Sequence, residues 1–130
     1  MDYVFLWALV GLQIKHFIAD YTLQWPAMIA EKSHLNRPGG YIHAAIHIVL
    51  TLPVLLICGV SFLLILPVLF CEFVVHYATD YTKGRYDCRH KLDMFKRRFW
   101  VVHGADQLVH QFTYAAIIAV IIATKATSAM

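Results

Sequence analysis

The chain has 130 residues, 60% of them hydrophobic and 15% charged, with a mean hydropathy of +0.61. A soluble domain is roughly a quarter charged and under half apolar, so this composition excludes an ordinary soluble enzyme and leaves little chain for a soluble domain beside membrane spans. The formal net charge is +3, and the cysteines (Cys58, Cys71 and Cys88) have neither the even number nor the paired spacing of a disulfide framework or zinc ribbon.

A spanning helix needs about 20 mostly apolar residues. Four such runs fit, at about residues 3–24, 41–58, 60–82 and 101–124. The start MDYVFLW lacks the basic residues of a secretory signal, and no small-residue cleavage site follows, so the first run is expected to be a retained span. Tyr3, Phe5 and Trp7 at its beginning and Trp25 after its end suit the headgroup level. Residues 26–32 can form a short interfacial helix, and Arg37-Pro38-Gly39-Gly40 is a turn signal. The second span carries Pro53 and the third Pro67, each a place for a kink. Only a tight hairpin around Gly59 fits between them. Residues 83–100 read as a polar, basic loop leading into the fourth span.

Charge distribution predicts the topology. Lys32 and Arg37 lie in the first long loop, residues 25–40, and Lys83, Arg85, Arg89, Lys91, Lys96, Arg97 and Arg98 lie in the second. The connection around Gly59 has no basic residue. Basic loops stay in the cytoplasm, which puts both long loops there and both termini on the far side; Lys125 is the one dissenting charge. Topology accounts for the basic loops without a nucleic-acid partner, and none is expected. The surrounding lipids are the expected partners, with an anionic lipid or phosphate held at the second loop.

The first and third spans end in related phrases, HFIADYT (His16 to Thr22) and HYATDYT (His76 to Thr82). After each, across a long loop, a span opens with another pair four residues apart: His43 and His47, then Asp106 and His110. The expected fold is an all-α, integral membrane four-helix bundle made of two repeated helical hairpins, a single transmembrane domain over residues 1–130.

Residues i and i+4 share a helix face. With the topology above, the pairs His16/Asp20, His43/His47, His76/Asp80 and Asp106/His110 all fall at one depth in the cytoplasmic leaflet. A charged aspartate deep in a span costs about 2.5–3.5 kcal/mol and normally faces the bundle interior. Three aspartates and five histidines at one level call for compensating positive charge. Inward-facing carboxylate and histidine ligands at helical spacing build dinuclear sites in four-helix bundles. Two divalent ions are the expected cofactors, zinc first, with iron or manganese as alternatives for an N/O ligand set. A metal-free proton or ion relay and purely structural polar contacts are the competing readings. Glu72, one turn before His76, is a candidate general base, although a paired structural role is favoured. Lys15, Lys83 and Arg85 are candidates to hold a phosphate, against the blander role of snorkelling to the headgroups. Gln24, Gln107, Tyr21 and Tyr81 are candidates to orient ligands, with interfacial anchoring favoured for the tyrosines.

The four motifs in order, HFIADYTLQ, the HxxxH of His43 and His47, HYATDYTK and DQLVH, resemble the family catalogued as domain of unknown function 3307. Its members are small integral membrane proteins of bacteria and phages. The resemblance covers nearly the whole chain; it implies a bacterial inner-membrane location and supports the site residues more than any reaction. A looser similarity is to membrane-bound metal-dependent hydrolases. The expected function is hydrolysis of a phosphorylated or ester-containing lipid or amphiphile. Hydroxide would attack, with Lys83 or Arg85 stabilising charge on phosphate oxygens. The alternatives are a metal or proton carrier, against which residues 50–66 and 115–122 offer no polar pathway, and a di-iron membrane oxygenase, for which no HxxHH run is present.

Overall fold

Long apolar runs with few breakers become helices. In the computed structural model, which describes residues 3–128, every regular element is helical. In chain order these are α1 (Val4–Phe17), a π-helical turn (Ile18–Thr22), α2 (Pro26–Glu31), α3 (Gly39–Ile57), α4 (Phe62–His90) and α5 (Arg97–Ser128). Three stretches are long and apolar enough to cross a membrane: Gly39–Ile57, Phe62–His90 and Arg97–Ala126. Helix α1 has 14 residues, and the 5-residue π turn continues it towards Leu23. No more than 33% of each apolar window is buried inside the protein. Phe62, Leu63 and Ile57 are each at least 80% exposed. Such a surface suits hydrocarbon, since soluble monomers rarely expose contiguous apolar area on this scale.

Local chemistry sets the helix ends. Pro26 occupies the first turn of α2, where its missing N–H costs nothing. The Glu31 carboxylate accepts the otherwise unpaired backbone N–H of Gly39 at 2.8 Å, fixing the start of α3. Helix α4 continues to His90 and ends on Lys91 in the left-handed conformation, with Arg89 and His90 against the negative end of its dipole. Gly84 is tolerated inside that helix because a Cβ there would sit 3.2 Å from the backbone nitrogen of Ser33. Between α3 and α4, Gly59 takes φ = 68°, which a side chain would disfavour.

Helix α3 packs against α1, α2 and α4, and α5 packs against α1 and α4. The interior divides along the helix axes. Towards the Gly59 turn lies an apolar cluster that includes Ala8, Leu12, Leu55, Ile65, Ile117 and Ile121. Towards the opposite ends of the helices, the buried side chains include histidines, aspartates, a lysine and a glutamate.

Candidate metal centre

The four-residue spacing of each pair projects one polar stripe from each long helix into the interior. Helix α1 and its π turn supply His16 and Asp20, α3 supplies His43 and His47, α4 supplies His76 and Asp80, and α5 supplies Asp106 and His110. All eight meet. Asp20 Oδ1 lies 2.9 Å from His47 Nε2 and 3.1 Å from His43 Nε2, and Asp20 Oδ2 lies 3.4 Å from His16 Nε2. Asp80 lies 3.4 Å from each of His43, His76 and His110. Asp106 reaches His110 at 3.6 Å. The imidazoles of His47 and His76 have centroids 3.8 Å apart, and those of His76 and His110 are 4.2 Å apart.

The π turn contributes to this geometry. Leu23 N–H bonds to the Ile18 carbonyl five residues back, and the Thr22 hydroxyl caps the same carbonyl. The turn carries Asp20, whose carboxylate lies between His43 and His47. Single π turns of this kind recur at functional sites. The second copy of the phrase, His76 to Thr82, stays regular α-helix.

Two groups of side chains offer ligand atoms all within 4.8 Å of one another: Asp20, His43, His47 and His76, and His76, Asp80 and His110. His76 belongs to both. The donor set passes a direct test of fit. His43 Nε2, His76 Nε2 and Asp106 Oδ1 are buried and lie near opposing side chains, yet make no hydrogen bond. Buried polar atoms normally find partners; here carboxylates lie 3.1–3.6 Å from imidazole nitrogens without satisfying these atoms by a hydrogen bond. Nitrogen and carboxylate oxygen at this density suit a divalent zinc, iron or manganese ion. The protein thus carries two clustered His/Asp ligand groups consistent with a dinuclear metal centre.

His16 and Asp106 flank these groups. The Gln107 amide donates to Asp106 at 3.2 Å, which turns its oxygen towards His16 Nε2 at 2.8 Å. His16 Nε2 therefore donates, and its Nδ1 accepts from the Tyr114 hydroxyl at 2.8 Å. Both ring nitrogens of His16 are occupied. On the apolar side, Lys15 is buried. Its Nζ lies 2.5 Å from Glu72 Oε1, 3.1 Å from His47 Nδ1 and 4.4 Å from the Tyr114 ring centroid. The Thr51 hydroxyl donates to the same Glu72 oxygen at 3.0 Å.

These contacts revise several sequence expectations. Lys15 does not snorkel, because Glu72 answers its charge inside the protein. For Glu72, the candidate base for which a paired structural role is favoured by sequence, the contacts fit the paired role: Lys15 and Thr51 both hold its Oε1. Arg85 is exposed and is not part of the wall of that opening, whereas Lys83 is, 3.5 Å from Asp87. Gln24 binds the backbone carbonyl of Asp20. Tyr21 is exposed and stacks on Phe17, and Tyr81 stacks near Tyr77. Lys32, read from sequence only as a loop charge, reaches Asp80 Oδ2 at 2.7 Å. Thr51 and Tyr114 also went unread, although each continues its helix's polar stripe by one more four-residue step.

The opening is a cavity of about 330 Å³. Asp20, Asp80 and Asp106 line it together with Lys32, Lys83 and His103. It gives the ligand groups access to the polar end of the molecule.

No curated protein and no solved structure matches the chain. Residues 8–130, nearly the whole length, match the family described as "Protein of unknown function (DUF3307)", and the chain belongs to that family.

Proposed function

We propose that this protein is a membrane-embedded, metal-dependent hydrolase acting on a phosphorylated or ester-containing lipid or amphiphile. In this reading the chain is one transmembrane domain, a four-helix bundle of two hairpin repeats in a bacterial inner membrane. The basic segments between its hairpin helices face the cytoplasm. Asp20, His43 and His47 would hold one divalent ion and Asp80, Asp106 and His110 the other, with His76 common to both groups. Zinc is the favoured metal. When bound, two such ions supply Lewis-acid polarisation of a phosphoryl or carbonyl oxygen and activate water.

The chain's own residues do the rest. Gln107 and Tyr114 hold His16 beside Asp20, and Lys15 fixes the ring of His47; such outer contacts orient ligands and tune their affinity. Lys32 and Lys83 at the cavity mouth attract and hold an anionic group. The apolar cluster of Leu12, Leu55 and Ile121 excludes water from below. That same cluster speaks against a carrier, which needs a polar route through both leaflets.

The observation that carries the reading is the gathering of eight ligand-type side chains, three of which (Asp20, Asp80 and Asp106) line a cavity that Lys32 and Lys83 also line. Metal analysis of detergent-purified protein tests it, with about two ions per folded chain expected, as in carboxylate–histidine bundles. Folded protein holding less than one ion per chain rules the reading out. A screen of metal-loaded protein against lipid phosphates and lipid esters then separates a hydrolase from a metal store.

A further inference from the structure

The polar cavity adjoins a second feature. Between α4 and α5 runs an apolar groove whose upper part, about 460 Å³, is lined by residues that include Ala78, Thr82, Val102 and Ala105. A deeper part, about 600 Å³, is lined by Val75, Phe112, Ala116 and Val120 among others. Val109 lines both parts. Lys83 and Asp106 line both the upper groove and the polar cavity. The two therefore meet at a lysine and at one of the eight ligand-type residues.

The groove's chemistry changes along its length. At the cavity end stand Lys83 and, across the cavity, Lys32. Deeper down, the only charged lining residue is Glu72, and its Oε1 is already bound to Lys15. From Asp106 to Val120 the axis of α5 rises about 21 Å at 1.5 Å per residue. Half of a hydrocarbon core is only about 15 Å, so the groove is long enough for one leaflet's acyl chain. Lys32 pairs with Asp80 and Lys83 with Asp87. The carboxylate-rich cavity therefore becomes net positive only with the two divalent ions of the hydrolase reading in place. Joined then to an apolar trough of that length, it complements a molecule with an anionic head and a hydrocarbon tail.

We propose that the α4–α5 groove holds the hydrocarbon chain of a lipid phosphate, with its phosphate in the polar cavity between Lys32, Lys83 and the His/Asp clusters. This rests on the hydrolase reading and narrows it, since a neutral ester would leave the positive charge of the bound ions unanswered. For a lipid phosphate monoester, the water oxygen forms a new bond to phosphorus as the bond from phosphorus to the lipid oxygen breaks. One water proton ends on the lipid alcohol, and inorganic phosphate leaves through the polar cavity.

The groove is tested by binding, independently of turnover. A photoreactive analogue of hexadecyl phosphate, with a diazirine on its chain, is added to the full-length protein in detergent, with and without added zinc. Labelling is expected on α4 and α5 peptides that line the groove, with competition by hexadecyl phosphate. Ala116→Trp, which fills the groove at an exposed site, should weaken that labelling about tenfold and retain bound metal. Val49→Trp, on the exposed face of α3 away from the groove, should leave it unchanged. In turnover assays Ala116→Trp should lower the preference for hexadecyl phosphate over phenyl phosphate by a similar factor. Labelling spread evenly over the outer faces of α1 and α3 overturns the proposal. So does a dimer in the native protein that Ala116→Trp dissolves, because the groove would then seat a second copy. If the groove labels as expected but no metal binds, the hydrolase reading fails while the lipid site stands.

Discussion

A lysine within an apolar helix is tolerated only where something answers its charge. Lys15 finds Glu72 at 2.5 Å, with side chains 4% and 1% exposed, and the pair leans on His47. Breaking a buried pair by removing one partner strands the other charge and costs about 3–5 kcal/mol, whereas replacing both by apolar groups is often neutral. Lys15→Met should therefore lower thermal stability in detergent sharply, and Lys15→Met/Glu72→Leu should recover most of the loss. Both variants lose the contact to His47 Nδ1, so both should bind zinc about 10–100-fold more weakly. If the double variant recovers stability and native zinc affinity together, Lys15 has no part in positioning His47. The sequence showed Lys15 beside His16 but not its partner, which lies 57 positions along the chain. The eight ligand-type residues were legible because each helix announces its own pair by four-residue spacing. Lys32 and Lys15 were not, because their roles are set by contacts between helices that no local period records.

At the scale of the element, the π turn is where sequence pattern and structure part. HFIADYT and HYATDYT read alike, and helical periodicity treats them alike. Yet Ile18–Thr22 is widened by one residue while the matching part of α4 is not. The difference follows from position. The first copy closes its helix just before Pro26, where the chain is free to take up an extra residue. The second continues without a breaker to His90. That continuation also makes helix of residues 83–90, which their charge alone reads as loop. Deleting Thr22 should restore the regular α-helical ladder and rotate Asp20 away from His43 and His47. Bound metal should then fall by about half, since a π turn amounts to a single inserted residue and the group of His76, Asp80 and His110 is untouched. Thr22→Ala, which keeps chain length, should retain native metal content. An unchanged metal count in the deletion variant would show that the turn does not aim the carboxylate.

Across the whole molecule, apolar contacts hold one end and polar groups crowd the other. The cluster around Leu12, Leu55 and Ile121 joins the helices by van der Waals packing and carries no charge to be answered. The opposite half brings Asp20, Asp80 and Asp106 together, with Lys32, Lys83 and the histidines to offset them in part. Carboxylates gathered in a medium of low dielectric repel strongly, so that half of the fold should depend on bound cations. Any ligand that binds only the folded state stabilises it by RT ln(1 + [L]/Kd), about 2.7 kcal/mol at 100 times Kd. Chelation of the purified protein should therefore lower its melting temperature in detergent, and zinc should restore it. Asp20→Ala/Asp80→Ala removes both the repulsion and the ligands. It should melt at a temperature that neither chelator nor zinc moves, and above that of the chelated native protein if repulsion is the dominant cost. A chelator-sensitive melt in that double variant would place the stabilising cation elsewhere. A chelator-insensitive melt in the metal-loaded native protein would mean that histidine–aspartate contacts alone balance the charge, and the polar half would then be held by its hydrogen bonds.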